Sequence, residues 1–159
     1  MRIGVMSDTH LHTPDAGLDH ILNVVLADVD MILHAGDIVT RRVLQHMEQS
    51  NVIAVCGNMD DYDIAGEIPQ MRIIPAQGIK IGLIHGWGSK DGLQQRIISR
   101  FDEPRPDVIV FGHSHIPFWG PVNGVRMFNP GSGNTRAPGA TVGLLEIDAD
   151  RIEARFVSV

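Results

Sequence analysis

Val108-Ile109-Val110-Phe111 reads as a short buried strand, and Gly112-His113-Ser114-His115 follows it directly. Side chains at i and i+2 share one face of extended backbone, and a loop after a strand can aim both imidazoles at one point. Imidazole is the commonest metal ligand near neutral pH. A lone His-x-His would read as two unrelated surface histidines. Here the layout recurs: apolar strand, small residue, then Asp, His or Asn. Ile3–Met6 runs into Ser7-Asp8-Thr9-His10, Met31–Ala35 into Gly36-Asp37, Val52–Cys56 into Gly57-Asn58, and Ile79–Ile84 into His85-Gly86. Asp8, His10, Asp37, Asn58, His85, His113 and His115 are seven nitrogen or oxygen donors, too many for one tetrahedral zinc site. They suit two adjacent divalent ions sharing a bridging carboxylate. No thiolate is needed, so Mn²⁺ or Fe²⁺ competes with Zn²⁺.

The elements that must position these groups follow from periodicity. Leu18, Ile21, Leu22, Val25 and Leu26 have helical spacing between Asp15 and Asp28. Thr40 is placed to cap a second helix from Arg41 to Gln49. Strand, helix, strand, helix, strand is the pattern of a parallel sheet with right-handed crossovers, and in such sheets function gathers at the carboxyl ends of the strands. The second half reads differently. Met71–Pro75 and Ile79–Ile84 form a hairpin through Gln77-Gly78, and a helix is expected from Lys90 to Phe101. Strands at Val125–Phe128, Val142–Ile147 and Ile152–Val157 then follow, with Asp148-Ala149-Asp150 as the last turn. Strands meeting without helices between them suggest a second, mostly antiparallel sheet.

The chain has 159 residues, of which 43% are hydrophobic, enough for one domain with a sizeable core. Its net charge is -6, its only lysines are Lys80 and Lys90, and it has no basic run beyond Arg41-Arg42. No nucleic-acid partner is expected; bound cations would be needed to attract phosphate. Cys56 is the single cysteine, so no intrachain disulfide forms, and it reads as a small buried hydrophobe. The apolar N-terminal run is too short for a signal segment. No stretch reaches the ~20 apolar residues of a membrane span. The expectation is a soluble cytoplasmic protein with no membrane partner, and a homo-oligomer is compatible with the sequence.

Asp8-Thr9-His10, Gly36-Asp37, Gly57-Asn58, His85 and Gly112-His113-Ser114-His115, in that order, resemble the calcineurin-like metallophosphoesterases. The short spacing and Asn129-Pro130-Gly131-Ser132 are similar to the small YfcE-type phosphodiesterase branch. The resemblance spans nearly all of residues 1–159 as one domain. It implies an α/β fold of two packed mixed β-sheets flanked by helices, a four-layer α-β-β-α sandwich. It also implies two divalent metal ions, Mn²⁺ first and Ni²⁺, Fe²⁺ or Zn²⁺ as alternatives. Asp8, His10, Asp37 and His115 would hold one ion; Asp37, Asn58, His85 and His113 would hold the other, with Asp37 bridging. A bridging hydroxide would attack a small phosphoester in line. The implied activity is a metal-dependent phosphodiesterase. The alternatives are a phosphomonoesterase or nucleotide hydrolase, and a non-catalytic scaffold resembling the metallophosphoesterase-like retromer subunit. One departure matters. Many members of the family carry a His after the Gly-Asn pair, oriented by an Asp three residues after the bridging Asp. Met59 and Thr40 stand at those positions.

The remaining residues divide by neighbourhood. His34, inside a strand, reads as a core residue or one that orients a ligand. Asp60 reads either as a turn residue or as a partner of the strand-end loops. Asn58, His12 and Arg136 are candidate substrate contacts; arginine suits bidentate phosphate recognition. Trp87 and Trp119 read as packing residues, with the floor of a ring pocket as the alternative.

Overall fold

Alternation along the strands sorts side chains into layers. The computed structural model describes residues 1–148 and 151–159. In β1 (Arg2–Met6), Ile3 and Val5 point to one face of the sheet and Met6 to the other. β2 (Met31–His34) and β3 (Val52–Ala54) lie beside β1 in parallel, Ile3 opposite Met31 and Ile32 opposite Val52. β9 (Thr141–Asp148) pairs antiparallel with β1, and β10 (Arg151–Ser158) with β9. The first sheet therefore runs β10-β9-β1-β2-β3.

The second sheet is built from β4 (Met71–Ala76), β5 (Ile79–Ile84), β6 (Val108–Val110), β7 (Phe118–Val122) and β8 (Val125–Asn129), ordered β4-β5-β6-β8-β7. Three apolar clusters make the four layers. One lies between the sheets and includes Ile3, Val5, Leu33, Ile81, Leu83, Val108, Val110, Phe128 and Leu145. The second packs the outer face of the first sheet against α1 (Ala16–His20), α2 (Arg41–Glu48) and α3 (Tyr62–Ala65). The third packs Ile84, Ile109, Phe111 and Met127 against α4 (Leu93–Ile98). This is the α-β-β-α sandwich of two mixed sheets.

Several local expectations change. The first helix is shorter than its periodic pattern. It passes at Ile21–Val25 into a π-helical turn, closed by Leu26 N–H to Ile21 C=O at 2.9 Å. The wider turn brings Leu26 onto the sheet, against the bare α-carbon of Gly4. α4 is shorter than Lys90–Phe101, because Gly92 before it has φ +70° and cannot extend the helix backwards. β3 leaves the ladder after Ala54, and Cys56 N–H turns to Pro69 C=O at 2.9 Å. α3 carries no long periodic signal, being four residues. β7 carries no continuous strand signal in the sequence, because Gly120 and Pro121 interrupt it. It is an edge strand, where a missing ladder donor is tolerated.

The larger correction concerns the second half. The second sheet is not mostly antiparallel: β5–β6 and β6–β8 are parallel, β4–β5 and β7–β8 antiparallel. The terminal hairpin returns to the first sheet. There Val142 and Leu144 face the helices while Leu145 and Ile147 face the second sheet, so β9 is buried on both sides. Of the turn expected at Asp148-Ala149-Asp150, Asp148 ends β9 and the other two residues lie outside the described residues. Among the described residues no helix is long and apolar enough to cross a membrane.

Because β9 is central, Leu145→Ala should cost ~2–5 kcal/mol through cavity formation. Ile73→Ala, at a half-exposed site on edge strand β4, should cost clearly less. Urea midpoints at an unchanged m-value would measure both. Equal small losses would contradict a central β9.

Candidate metal centre

All seven predicted donors lie just beyond the carboxyl ends of parallel strands, and both sheets contribute. Asp8 and His10 follow β1, Asp37 follows β2 and Asn58 follows β3. His85 follows β5, and His113 and His115 follow β6. The loops are zipped together by main-chain bonds: Asp8 N–H to Gly36 C=O (3.0 Å), His10 N–H to Asp37 C=O (3.1 Å) and Gly112 N–H to His85 C=O (3.1 Å).

Each carboxylate is held by one oxygen and offers the other. Asp8 Oδ2 accepts from Ser7 Oγ (2.7 Å) and His113 N–H (3.1 Å). Its Oδ1 is buried, has no hydrogen-bond partner, and faces His115 Nε2 at 3.2 Å. Asp37 Oδ1 accepts from Met59 N–H at 2.8 Å, while its Oδ2 lies 3.3 Å from His85 Nε2 and 3.7 Å from His10 Nε2. Asp8, His10 and His115 form one group of converging ligand atoms; Asp8, Asp37 and His85 form another.

The imidazole protons are assigned by carbonyls, which only accept. His85 donates Nδ1–H to Ala35 C=O at 2.7 Å, so the neutral ring turns a bare Nε2 into the site, buried and without a hydrogen bond. His113 donates Nε2–H to Gly88 C=O at 2.7 Å, so its Nδ1 lone pair faces Asn58 Oδ1 at 2.8 Å. Two acceptors that close repel unless something positive binds both. Ligands each ~2.1 Å from one ion sit roughly 3 Å apart. His10 Nε2 and His115 Nε2, at 3.2 Å, fit the same spacing. Orphaned buried acceptors are costly, and this donor set fits divalent cations.

Protonation follows the same logic. Burial pushes the Asp37 carboxyl up, but the His85 imidazole and Met59 N–H outweigh it, and the group ends below its ordinary value. Burial pushes His85 down, yet Asp37 and Asp8 outweigh it, and the imidazole ends raised. His115 is raised chiefly by the Asp8 carboxylate 3.2 Å away. The Cys56 thiol is pushed up to about 11 by burial and by Asp60, so it offers no thiolate; its S–H donates to Gly57 C=O.

Backbone conformation completes the site. Asp8, His10, Asp37, His113 and His115 all have φ between +49° and +68°, a region non-glycine residues rarely occupy. Val39, β-branched, has φ +90°. Asp60 holds it there, accepting from Val39 N–H (2.7 Å) and Gly57 N–H (2.6 Å), and so ties the Asp37 loop to the Asn58 loop. The glycines before the donors have a plain reason: a Cβ on Gly57 would collide with Asp37, and one on Gly112 with Ser7 and Asp8. Asn129, in the Asn129-Pro130-Gly131-Ser132 loop, is buried. It donates to Gly112 C=O (2.8 Å) and Ser114 Oγ (3.0 Å), splinting the two-histidine loop.

The candidate substrate contacts scatter. Asn58 is exposed within the site. His12 is exposed, and its carbonyl accepts from Thr40 Oγ1 at 3.0 Å. The Arg136 guanidinium pairs with Asp15, the N-cap of α1, at 2.8 Å. Met59 is 57% exposed. Trp119 packs edge-on against Phe128 and lines a separate cavity over β9 and β10, away from the donors; Trp87 lines the cavity beside Asn58 and His85.

His34 is fully buried and orients the loops rather than facing the ligand cluster. Gly36 N–H donates to its Nδ1 (3.1 Å), so Nε2–H donates to Thr9 Oγ1 (3.1 Å). Burial lowers its pKa from 6.5 to about 4. Between those values the unfolded chain binds a proton that the folded chain refuses, so stability falls as pH drops through that window. The loss is roughly 3 kcal/mol in all. Raised His85 and His115 act in the opposite sense, so the measurement is the difference between wild type and His34→Gln. Wild type should lose more stability than the variant between pH 6.5 and 4 in urea titrations. Parallel curves would contradict a buried neutral His34.

Comparison with known proteins places this geometry. Residues 1–150 match the calcineurin-like phosphoesterase superfamily domain. The probable metallophosphoesterase MJ0623 of Methanocaldococcus jannaschii is 33% identical, over 100% of this chain and 82% of its own. The phosphodiesterase MJ0936 of the same organism is 29% identical, over 93% of this chain and 94% of its own. A solved archaeal phosphodiesterase superposes with a TM-score of 0.76 at 27% identity, covering 100% of both chains. With its strand-end donors, its sandwich of mixed sheets and these relatives, the chain belongs to the calcineurin-like phosphoesterases and is a metal-dependent phosphoesterase.

Proposed function

We propose that this chain, as one domain over residues 1–159, hydrolyses a small phosphodiester using two divalent cations, manganese first, with nickel, iron or zinc also compatible with a thiolate-free N/O donor set. The observation behind this reading is the pair of orphaned acceptors, Asp8 Oδ1 and His85 Nε2, aimed into a cluster completed by Asp37, His10 and His115. Asp8, His10, Asp37 and His115 would hold one ion, and Asp37, Asn58, His85 and His113 the other. Asp37 Oδ2 lies between His10 and His85, one donor from each set, which supports its bridging role. Cations there would supply Lewis acidity toward phosphoryl oxygens and a nucleophile active near neutral pH.

The chain's own residues set the rest. Ser7 and the His113 N–H fix Asp8; Met59 N–H fixes Asp37. Ala35 and Gly88 carbonyls keep His85 and His113 in the tautomers that present a lone pair. Met59 has no proton to give, and the Thr40 hydroxyl is spent on His12 C=O. Leaving-group protonation by a positioned acid typically contributes 10²–10⁴-fold, and neither Met59 nor Thr40 offers it. Diesters with good leaving groups are the substrates this arrangement favours. A small phosphoester substrate and a cytoplasmic setting complete the proposal.

Two measurements test it. Metal-reconstituted protein should titrate to about two equivalents. Asp37→Asn should lower that number and cut turnover by more than the roughly 10–100-fold typical of outer-shell partners, with the fold intact by circular dichroism. Saturation of the wild type at one equivalent would overturn the dinuclear reading. Separately, Met59→His should raise turnover for poor leaving groups more than for good ones. The check is the slope of log rate against leaving-group pKa; identical slopes would show that another group already delivers the proton.

A further inference from the structure

We propose that the cavity beside the metal centre is a subsite for a planar aromatic ring carried by the phosphoester substrate. The proposal rests on the phosphodiesterase reading above and names its substrate class. The cavity, about 420 Å³, begins at Asn58 and His85 and continues past Trp87, Arg100, Gln70 and Met71. That volume is within the range of small-molecule sites. A ring placed there is joined to a phosphate at the donors with no gap between the two sites.

Trp87 is 40% exposed, unusual for so large an apolar side chain. Its position is nonetheless fixed. Arg96 donates to the carbonyls of Trp87 (3.0 Å), Asp91 (2.7 Å) and Ser89. The intervening Gly88 carbonyl accepts from His113, a candidate ligand, at 2.7 Å. The loop that presents Trp87 is thus pinned from α4 on one side and from the metal centre on the other. A pre-ordered aromatic surface loses little freedom when a ring lands on it.

The electrostatics agree. Arg100 Cζ lies 5.9 Å from the Trp87 ring centroid, within cation–π range. Among the described residues Arg100 is the one formally charged side chain of the lining, and no carboxylate joins it. Gln70 and Asn58 offer amide donors and acceptors to a heteroaromatic edge. Met71 and Ile84 add apolar surface to the same lining. The cavity that Trp119 lines differs in that it carries the carboxylates Glu146 and Glu153 and none of the donors.

The test uses manganese-reconstituted protein and ligands sharing one phosphate headgroup, titrated by calorimetry. Uridine 5′-monophosphate is compared with ribose 5-phosphate, and phenyl phosphate with methyl phosphate. Base–aromatic stacking is worth roughly 1–3 kcal/mol per base, so the ring-bearing ligand should bind about 5–150-fold tighter. A preference in both pairs assigns the subsite to any aromatic ring; a preference in the uridine pair alone assigns it to a nucleobase. Trp87→Leu should remove most of the preference and Trp87→Phe should keep most of it. Equal affinities within both pairs, or a preference that survives Trp87→Leu, would overturn the subsite. Catalysis is scored separately, with p-nitrophenol as the leaving group throughout. If the uridine 5′-phosphate and methyl phosphate p-nitrophenyl diesters are cleaved while the ring-bearing ligands show no binding preference, the phosphodiesterase reading stands and the subsite falls. If neither is cleaved with Mn²⁺, Ni²⁺ or Zn²⁺ while the ring preference in binding persists, the phosphodiesterase reading falls and the subsite stands.

Discussion

Two buried carboxylates and a buried imidazole lie within 4.8 Å of one another at the ends of strands from two different sheets: His85 Nε2 is 3.3 Å from Asp37 and 3.9 Å from Asp8. Left alone, such a group of acceptors is unfavourable, because desolvation is not offset by hydrogen bonds. The fold must therefore hold the group together against its own repulsion, and the sandwich does so by immobilising everything around it. One oxygen of each carboxylate is tied to the backbone or a hydroxyl, and one nitrogen of His85 is tied to Ala35. The atoms left over point inward. A cation bound by them would relieve the repulsion, and the folded state would gain stability by mass action.

The scaffold accepts strain to make this arrangement. Five donors sit in left-handed backbone, at a typical cost of order 1–3 kcal/mol each. Left-handed residues turn the chain sharply, so side chains straight after a strand point back across the strand ends instead of continuing the pleat. The strain is confined by hydrogen bonds that reach between loops: Asp60 to Val39 and Gly57, Asn129 to Gly112 and Ser114, His34 to Thr9 and Gly36. Three apolar layers beneath supply the rigidity. Close approach of the loops leaves no room for a Cβ at Gly57 or Gly112, which is why small residues precede the donors.

The same loops connect the centre to its surroundings. His113 reaches outward through its Nε2–H to Gly88, within the segment that presents Trp87. The orientation of a donor and the placement of an aromatic surface are thus mechanically joined. Chemistry at the strand ends and recognition in the adjoining cavity share one rigid loop.

Much of this was legible in the residues. Apolar runs ending in Asp, Asn or His set the strands and put the seven donors at their carboxyl ends, because strand periodicity and turn residues act over a few positions. The absence of a His at Met59 and of its orienting Asp at Thr40 was equally plain. What local reading could not supply was anything decided by distant pairing. That the terminal hairpin returns to β1 follows from β9 being apolar on both faces and finding one sheet on one side and helices on the other. That His34 orients loops, that Asp60 braces Val39, and that Asn129 splints the histidine loop depend on neighbours 17 to 25 residues away. Arg136 shows the reverse: its residue type suits phosphate, but tertiary contacts commit it to Asp15, 121 residues away. Residue types and their spacing determined the chemistry this chain can do; only the tertiary structure decided which atoms are left without partners, because that depends on which distant groups the packed layers bring within hydrogen-bonding reach.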